Sequence, residues 1–234
     1  EKVKCMKVAK KYGADYWDGD RKFGYGGYKY IPGRWTMVAK KIIKKYKLTN
    51  TSKILDVGCG NGELIKSLKN KKNVKGQGLE LKQERVNKCV AKGLSAIQGN
   101  ADSDLSLYPD QSFDCVILSQ TIQATNNPKN ILIELIRIGR KAIISIPNFG
   151  YWKVRLGFAT YGKMPITEKL SNNWYDTPNI HLCSILDFVD LCRELNIKIE
   201  KTIVLNSNNI RSFNGAPNSW SNFFGEEAIF LIKN

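Results

Sequence analysis

The feature that most constrains the fold is a glycine-rich turn between an apolar run and a helical pattern. Residues 54–57 are apolar except for one aspartate, which is typical of a buried parallel strand. A Gly-x-Gly-x-Gly run follows at 58–62, and apolar residues then recur at helical spacing over 64–68. A side chain at these glycines would block the turn and keep a ligand off the backbone. The pattern predicts strand, turn and helix, with a ligand-free tight turn as the simpler alternative.

A candidate ligand for a ribose lies about 20 positions further on, where nucleotide-binding folds place an acidic residue. Residues 74–80 are predicted to be a second strand that ends in Glu80. A carboxylate at that position can accept hydrogen bonds from both ribose hydroxyls. The spacing alone does not say which nucleotide-containing cofactor is bound.

The rest of the chain alternates predicted strands with predicted helices. Strands are expected at 54–57, 74–80, 96–102, 113–119, 141–147, 197–205 and 228–232. This alternation indicates an α/β fold with a doubly wound sheet. The last two strands form a hairpin-like pair. We therefore expect a Rossmann-like, seven-stranded, mostly parallel sheet with one antiparallel edge strand and helices on both faces.

Two segments fall outside this alternation. Residues 1–47 contain a tyrosine- and glycine-rich stretch at 15–30, followed by a helical pattern. We interpret them as a lid over the cofactor or as a surface arm, two compatible hypotheses. The main domain is then 48–234. It contains a long insertion at 148–181, which we expect to be a cap on the substrate side because such a long loop is normally functional or structured.

Composition narrows the function classes. The net charge of +16 is compatible with a nucleic-acid partner, but the lysines are scattered and nucleic-acid binding is not favoured. No apolar run reaches the length of a membrane span, and the polar N-terminus does not resemble a signal peptide, so we expect no membrane partner and a cytoplasmic location. With one histidine and no Cys-x-x-Cys pair, no metal site is expected.

The run Leu55-Asp-Val-Gly-Cys-Gly-Asn-Gly62, together with Glu80, resembles motifs I and II of class I S-adenosylmethionine (SAM) methyltransferases. The resemblance implies SAM as cofactor and S-adenosylhomocysteine as product. Asn100 stands where that family usually carries an aspartate for the adenine amino group, and Asp102 is a second candidate. The implied cofactor residues are Asp56, Gly58, Cys59, Gly60, Asn61, Glu80, Leu81, Asn100, Ala101, Asp102, Ser119 and Gln120, and the lid hypothesis adds Tyr25, Tyr30 and Arg34.

A narrower resemblance lies further along the chain. The segments 120–124, 145–150, 164–167 and the string Trp174-Tyr-Asp-Thr-Pro-Asn-Ile-His-Leu-Cys183 look like the MetW family of methionine-biosynthesis proteins. Residues 12–35 instead resemble an N-terminal segment of other class I methyltransferases, some of which act on sugars or other small molecules. The MetW resemblance implies a link with homoserine O-acyltransferase, as its partner.

The cap supplies the candidates for a catalytic or positioning role: His181, Asp176 and Tyr175. The SAM sulfonium is already activated, so a base is needed only for a poorly nucleophilic hydroxyl. His181 has an alternative role as a hydrogen-bonded anchor of the cap. The leading hypothesis is methyl transfer to a small-molecule acceptor. The alternatives are a SAM-sensing, non-catalytic partner of homoserine O-acyltransferase and, more weakly, an RNA methyltransferase. Neither the acceptor nor the oligomeric state follows from the sequence.

Overall fold

The computed structural model describes residues 34–46, 48–164, 166–167, 170, 173–175, 177, 179–206 and 209–234. The predicted lid or arm before residue 34 therefore lies outside the described residues and stays a prediction.

An eight-stranded sheet forms the centre of the molecule. Its strands are β1 (Lys53–Val57), β2 (Lys75–Glu80), β3 (Ser95–Gln98), β4 (Cys115–Ser119), β5 (Ala142–Pro147), β6 (Lys198–Asn206), β7 (Asn209–Asn214) and β8 (Glu227–Lys233). They lie in the order β3-β2-β1-β4-β5-β8-β6-β7. Strands β1 to β5 are parallel to one another, while β8 is antiparallel to both β5 and β6. This confirms the predicted mostly parallel α/β sheet.

Within the described part of the chain the sheet has eight strands, not the predicted seven. The additional strand is β7, which lies at the sheet edge and is antiparallel to β6. A second antiparallel strand, β8, is internal. Most residues of β7 are exposed, and the strand is held by main-chain pairing. An edge strand of this kind lacks the apolar alternation by which a strand is detected in a sequence.

Helices cover both faces of the sheet, as predicted. Those described are α1 (Arg34–Tyr46), α2 (Glu63–Lys72), α3 (Gln83–Ala91), α4 (Ala101–Asp104), α5 (Pro128–Ile138), α6 (Trp152–Tyr161), α7 (Ile185–Glu194) and α8 (Ser219–Phe224). Alternate side chains of a strand point to opposite faces. Ile54 accordingly packs in the cluster of α1 and α2, whereas Leu55 packs in the cluster of α5 and α7.

One predicted strand ends earlier in the structure than the sequence suggests. The third strand stops at Gln98 rather than at residue 102, because Asn100 caps α4 and its side chain accepts from the Asp102 amide at 3.0 Å. The cap segment has structure of its own: α6 lies within it. Among the described residues, no helix is long and apolar enough to cross a membrane.

The strand order fixes where a ligand can bind. The order reverses between β1 and β4, and open α/β sheets bind ligands outside the carboxyl ends of their strands at such a switch point. The glycine turn follows β1 at this point.

Candidate functional site

The glycine turn is tight at its start and open in its middle. Gly58, Gly60 and Gly62 have φ values of +73°, +56° and +74°, which favour glycine. The Gly58 amide donates to the Leu79 carbonyl at 2.8 Å. A Cβ on Gly58 would lie 2.9 Å from the Thr121 hydroxyl, whereas one on Gly60 would meet nothing within 4 Å. The open space at Gly60 is therefore a cradle at the edge of the sheet in which a ligand can approach the backbone.

Glu80 is held against this turn. Its side chain is buried; Oε2 accepts from the Gly60 amide at 2.8 Å and Oε1 accepts from the Lys82 amide at 3.1 Å. Arg85 lies 3.8 Å from Oε1. Two carboxylate oxygens offer about four acceptor positions, so these contacts leave capacity for ribose hydroxyls. The contacts connect the end of β2 to the cradle and fix the carboxylate beside it.

Asp56 adds a second buried carboxyl group at the same edge. Burial, and then the nearby charge of Glu80, raise its pKa from 3.8 to about 7. Both acidic groups disfavour an anion here. A ligand that carries positive charge would favour the ionised form of Asp56.

The other residues of the turn complete the cradle. Burial raises the pKa of Cys59, and its thiol therefore stays protonated. Asn61 has a buried side-chain oxygen, Oδ1, with no hydrogen-bond partner among the residues that the structure describes. A buried acceptor of this kind fits a ligand that donates a hydrogen bond. Open space, acidic groups and an unpaired acceptor suit a cofactor that has hydroxyl and ammonium donors and a positive charge.

The residues proposed for the adenine side have structural contacts of their own. The carboxylate of Asp102 accepts from the backbone amides of Asn126 and Asn127, at 2.9 and 3.1 Å. Asn100 caps α4, in which Ala101 is the first residue. The side-chain oxygen of Asn100, Oδ1, keeps a second lone pair that can accept a hydrogen bond from an amino group. Leu81 is 61% exposed directly after Glu80, which offers an apolar surface at this edge.

The end of β4 brings in residues that the sequence analysis missed. Ser119 and Ser145 share a hydrogen bond of 3.0 Å, and the Gln120 amide group donates to Glu227 at 2.8 Å. Gln120 has a φ of +52°, an unusual conformation for a residue other than glycine. Glu227 was missed because it begins its strand; an antiparallel strand brings its first residue to the edge where parallel strands end.

The two cap residues proposed for catalysis that the structure describes, His181 and Tyr175, have different surroundings. His181 donates from Nε2 to the Thr125 carbonyl oxygen at 3.0 Å, and its backbone amide donates to the Gln123 carbonyl oxygen at 3.0 Å. These contacts favour the anchoring hypothesis. Tyr175 is 67% exposed and packs edge-on against Trp174. Asp176 lies outside the described residues.

The structure thus brings most of the predicted cofactor residues to one edge of the sheet, around the glycine turn and the ends of β2 and β4. Tyr25 and Tyr30 lie outside the described residues. Arg34 begins α1, and its side chain lies outside them too. Among the described residues, no group of three or more His, Cys, Asp and Glu side chains could hold a metal ion.

Comparison with known proteins gives a family match. The family described as methionine biosynthesis protein MetW matches residues 39–232. The bifunctional methionine biosynthesis protein MetXA/MetW of Rhodopirellula baltica is 34% identical over 161 residues, which are 65% of this chain and 26% of that protein. The chain spans about a quarter to a half of the length of the curated relatives it matches.

Solved structures agree on the fold. A SAM-dependent methyltransferase of Thermotoga maritima has a TM-score of 0.54 at 16% identity, covering 85% of this chain and 96% of that one. The [4+2]-cyclase SpnF has a TM-score of 0.59 at 13% identity, covering 85% and 81%. At these identities the likeness shows a class I methyltransferase fold and leaves the chemistry to be argued from the site.

Proposed function

Because this chain belongs to the MetW family, we propose that it binds SAM at the glycine turn and transfers the methyl group to a small-molecule acceptor, in the cytoplasm and in connection with methionine biosynthesis. The observation that carries the proposal is the contact between Glu80 and Gly60, at 2.8 Å. It holds a buried carboxylate, which we propose as the acceptor for the ribose hydroxyls, directly beside an open cradle. A turn that served only to join β1 to α2 would need neither the open space nor the carboxylate.

Each part of the cradle has a role toward the cofactor. The backbone around Gly60 would receive the methionine part, and Asp56 would stabilise its positive charge. Glu80 would accept from the ribose hydroxyls, while Leu81 and Asn100 would face the adenine. SAM supplies a methyl group that is already activated by its sulfonium. The residues of this chain therefore need to bind the cofactor and the acceptor, orient them toward each other and exclude water.

The acceptor would approach from the other side of the switch point. β4 ends there at Ser119 and is followed by Gln120, and the cap is anchored close by through the contacts of His181 with residues 123 and 125. An amine or thiol acceptor needs no protein base, so the anchoring contacts of His181 are compatible with turnover. The reaction would release S-adenosylhomocysteine.

Release of S-adenosylhomocysteine tests this proposal. The full chain would be incubated with SAM and a panel of small amines, thiols and hydroxyl compounds, and the product quantified by mass spectrometry. The proposal predicts product that depends on one class of acceptor. SAM binding without release for any acceptor would favour a sensor over an enzyme.

A second candidate is a SAM-sensing subunit that associates with a homoserine O-acyltransferase. The observation that favours it is the exposure of large aromatic side chains: Trp174 is 73% exposed and Trp220 is 65% exposed. Exposed aromatic groups are enriched where proteins bind partners. The Rhodopirellula relative, whose name combines MetXA with MetW, agrees with such a link.

A binding assay separates the two candidates. An interface role for the cap predicts that Trp174→Ala abolishes co-purification with homoserine O-acyltransferase and leaves SAM binding intact. A pocket-lining role predicts loss of methyl transfer with the complex retained. Ile133→Ala is a matched control, since Ile133 is an exposed apolar residue on α5.

The N-terminal segment belongs to the proposal as a lid over the cofactor. We expect that deletion of residues 1–35 lowers SAM affinity while the domain still folds. Unchanged affinity would favour the surface arm.

A further inference from the structure

A second cavity lies at the opposite edge of the sheet from the cofactor site, at the amino ends of the strands. Its volume is about 690 Å³. Strand β3 begins at Ser95, which pairs with Gln77, so Lys75 and Gly76 of β2 extend beyond it. The short edge strand thus leaves a notch in the sheet. Gly93 and Leu94 line the notch, together with residues 108, 109, 112 and 113.

Positive charge dominates the lining of this cavity. Lys53, Lys69 and Lys75 line it, and none of the lining residues that the structure describes is acidic. Lys69 is fixed by a 2.8 Å hydrogen bond from Nζ to the Gly93 carbonyl oxygen. Three ammonium groups without a lining carboxylate create a field that attracts anions.

Two hydroxyl groups in the lining residues lack partners. Tyr108 and Ser112 each have a buried side-chain oxygen with no hydrogen-bond partner within the described part of the chain. Burial raises the pKa of Tyr108, and its hydroxyl stays protonated. Both hydroxyls can donate to an anionic oxygen. Buried polar groups are normally paired. Because each of these hydroxyls belongs to a residue that lines the cavity, a rotation toward the cavity would let it donate to a bound anion.

The volume of the cavity and its apolar wall indicate what kind of molecule carries the anionic group. The volume falls within the roughly 300–1,000 Å³ of small-molecule sites. Ile65, Leu94 and Phe113 supply apolar surface, and the Phe113 ring packs edge-on against Tyr108 at 5.8 Å between ring centres. Lysine is a common phosphate ligand as a compact point charge. We propose that this cavity binds a small organic phosphate, at a site separate from the cofactor cradle.

Titration calorimetry of the full chain tests this, with phenyl phosphate and ribose 5-phosphate as probes and phenol and ribose as their uncharged counterparts. Each is titrated with and without saturating S-adenosylhomocysteine. We expect at least one phosphate to bind about tenfold or more tightly than its counterpart. We also expect that saturating S-adenosylhomocysteine leaves the affinity for that phosphate unchanged. Competition would move the probe to the cofactor cradle and overturn the proposal, as would the absence of binding by either phosphate at millimolar concentration.

Variants locate the binding. Lys53→Ala/Lys75→Ala should weaken phosphate binding about tenfold or more. Lys71→Ala/Lys72→Ala removes the same charge from exposed residues of α2 outside the cavity and should change binding by less than about twofold. Equal losses in both would indicate non-specific attraction and contradict the proposal. Tyr108→Phe/Ser112→Ala keeps the shape of the wall and should also weaken binding; a folded variant with unchanged affinity would remove the hydroxyls from the site.

Discussion

The cofactor edge and the cap differ in how their residues are held. At the cofactor edge, the Gly60 amide of the turn at 58–62 donates a hydrogen bond to the carboxylate of Glu80, and that carboxylate is buried. In the cap, the string from Trp174 to Cys183 includes exposed aromatic groups, and His181 donates hydrogen bonds to main-chain carbonyl oxygens of the described residues. The first region combines a fixed, buried carboxylate with open space beside the backbone, which suits a small ligand. The second is anchored at its base and exposed at its tip, which suits an acceptor or a partner.

The largest expected effect contrasts two glycines with the same geometry. Gly60 in the cradle and Gly162 at the end of α6 have φ values of +56° and +59°, and each would place a Cβ in open space. Backbone strain at the two sites should therefore be similar, about 1 kcal/mol. Gly60→Val should lower SAM affinity more than about 100-fold, because its side chain fills the ligand space.

Gly162→Val is the control, with SAM affinity expected to stay within about threefold of the unmodified protein. Calorimetry measures both, and thermal unfolding verifies that the variants fold. Equal losses of affinity would remove the distinction between the two regions.

A smaller effect is expected from removing the ribose acceptor. Glu80→Ala should weaken SAM binding by about 1.5–3 kcal/mol, because buried hydroxyls lose a charged acceptor. Glu84→Ala, on the exposed side of α3, changes the same charge and should leave the affinity within a few tenths of a kcal/mol. A Glu80 variant with the affinity of the Glu84 variant would contradict the assigned ribose role.

Asp56 gives the cofactor edge a pH signature. Burial raises the pKa of Asp56 in the folded protein to about 7, above its ordinary value of 3.8. The folded state therefore holds a proton that the unfolded chain releases, and this group makes stability fall as pH rises between these two values. The free energy of unfolding of Asp56→Asn, relative to that of the unmodified protein, should rise by on the order of 2 kcal/mol when the pH is raised from 5 to 8. Urea unfolding of both proteins at pH 5 and pH 8 measures this change. If the difference in stability between the two proteins is the same at both pH values, ionisation of Asp56 does not destabilise the folded protein.

The smallest effect is expected in the cap. As an anchor, His181 contributes one side-chain hydrogen bond, so His181→Ala should lower the free energy of unfolding by about 1 kcal/mol and leave SAM affinity unchanged. If methyl transfer is found, the rate should fall by less than about tenfold. A thousandfold loss of rate in a folded variant would instead indicate that His181 is a catalytic residue and that the cap takes part in the reaction.

The cofactor edge could be predicted because its signals are local. An apolar strand, three glycines and an amphipathic helix follow one another, and the helix indeed buries Leu64, Ile65 and Leu68. The carboxylate at the end of the next strand then follows from the rule that ligands bind at the carboxyl ends of parallel strands.

The remaining features depend on contacts between distant parts of the chain. Glu227 meets Gln120 across 107 positions of sequence, through an antiparallel strand that reverses the usual rule. Strand β7 is defined by its pairing with β6 and lacks an apolar pattern. Asn100 was expected at a strand end and instead caps a helix, because a short polar side chain can bond to the backbone that follows it. Such features require the fold before they can be seen.

The most direct test of the central claim is calorimetric titration of the full chain with SAM and, separately, with NAD. The cradle beside Glu80 has a glycine spacing that differs from the dinucleotide pattern, together with acidic groups that favour a positively charged ligand. We predict saturable binding of SAM with one site per chain and no measurable binding of NAD. Binding of NAD in the absence of SAM binding would contradict the assignment of this edge as a SAM site.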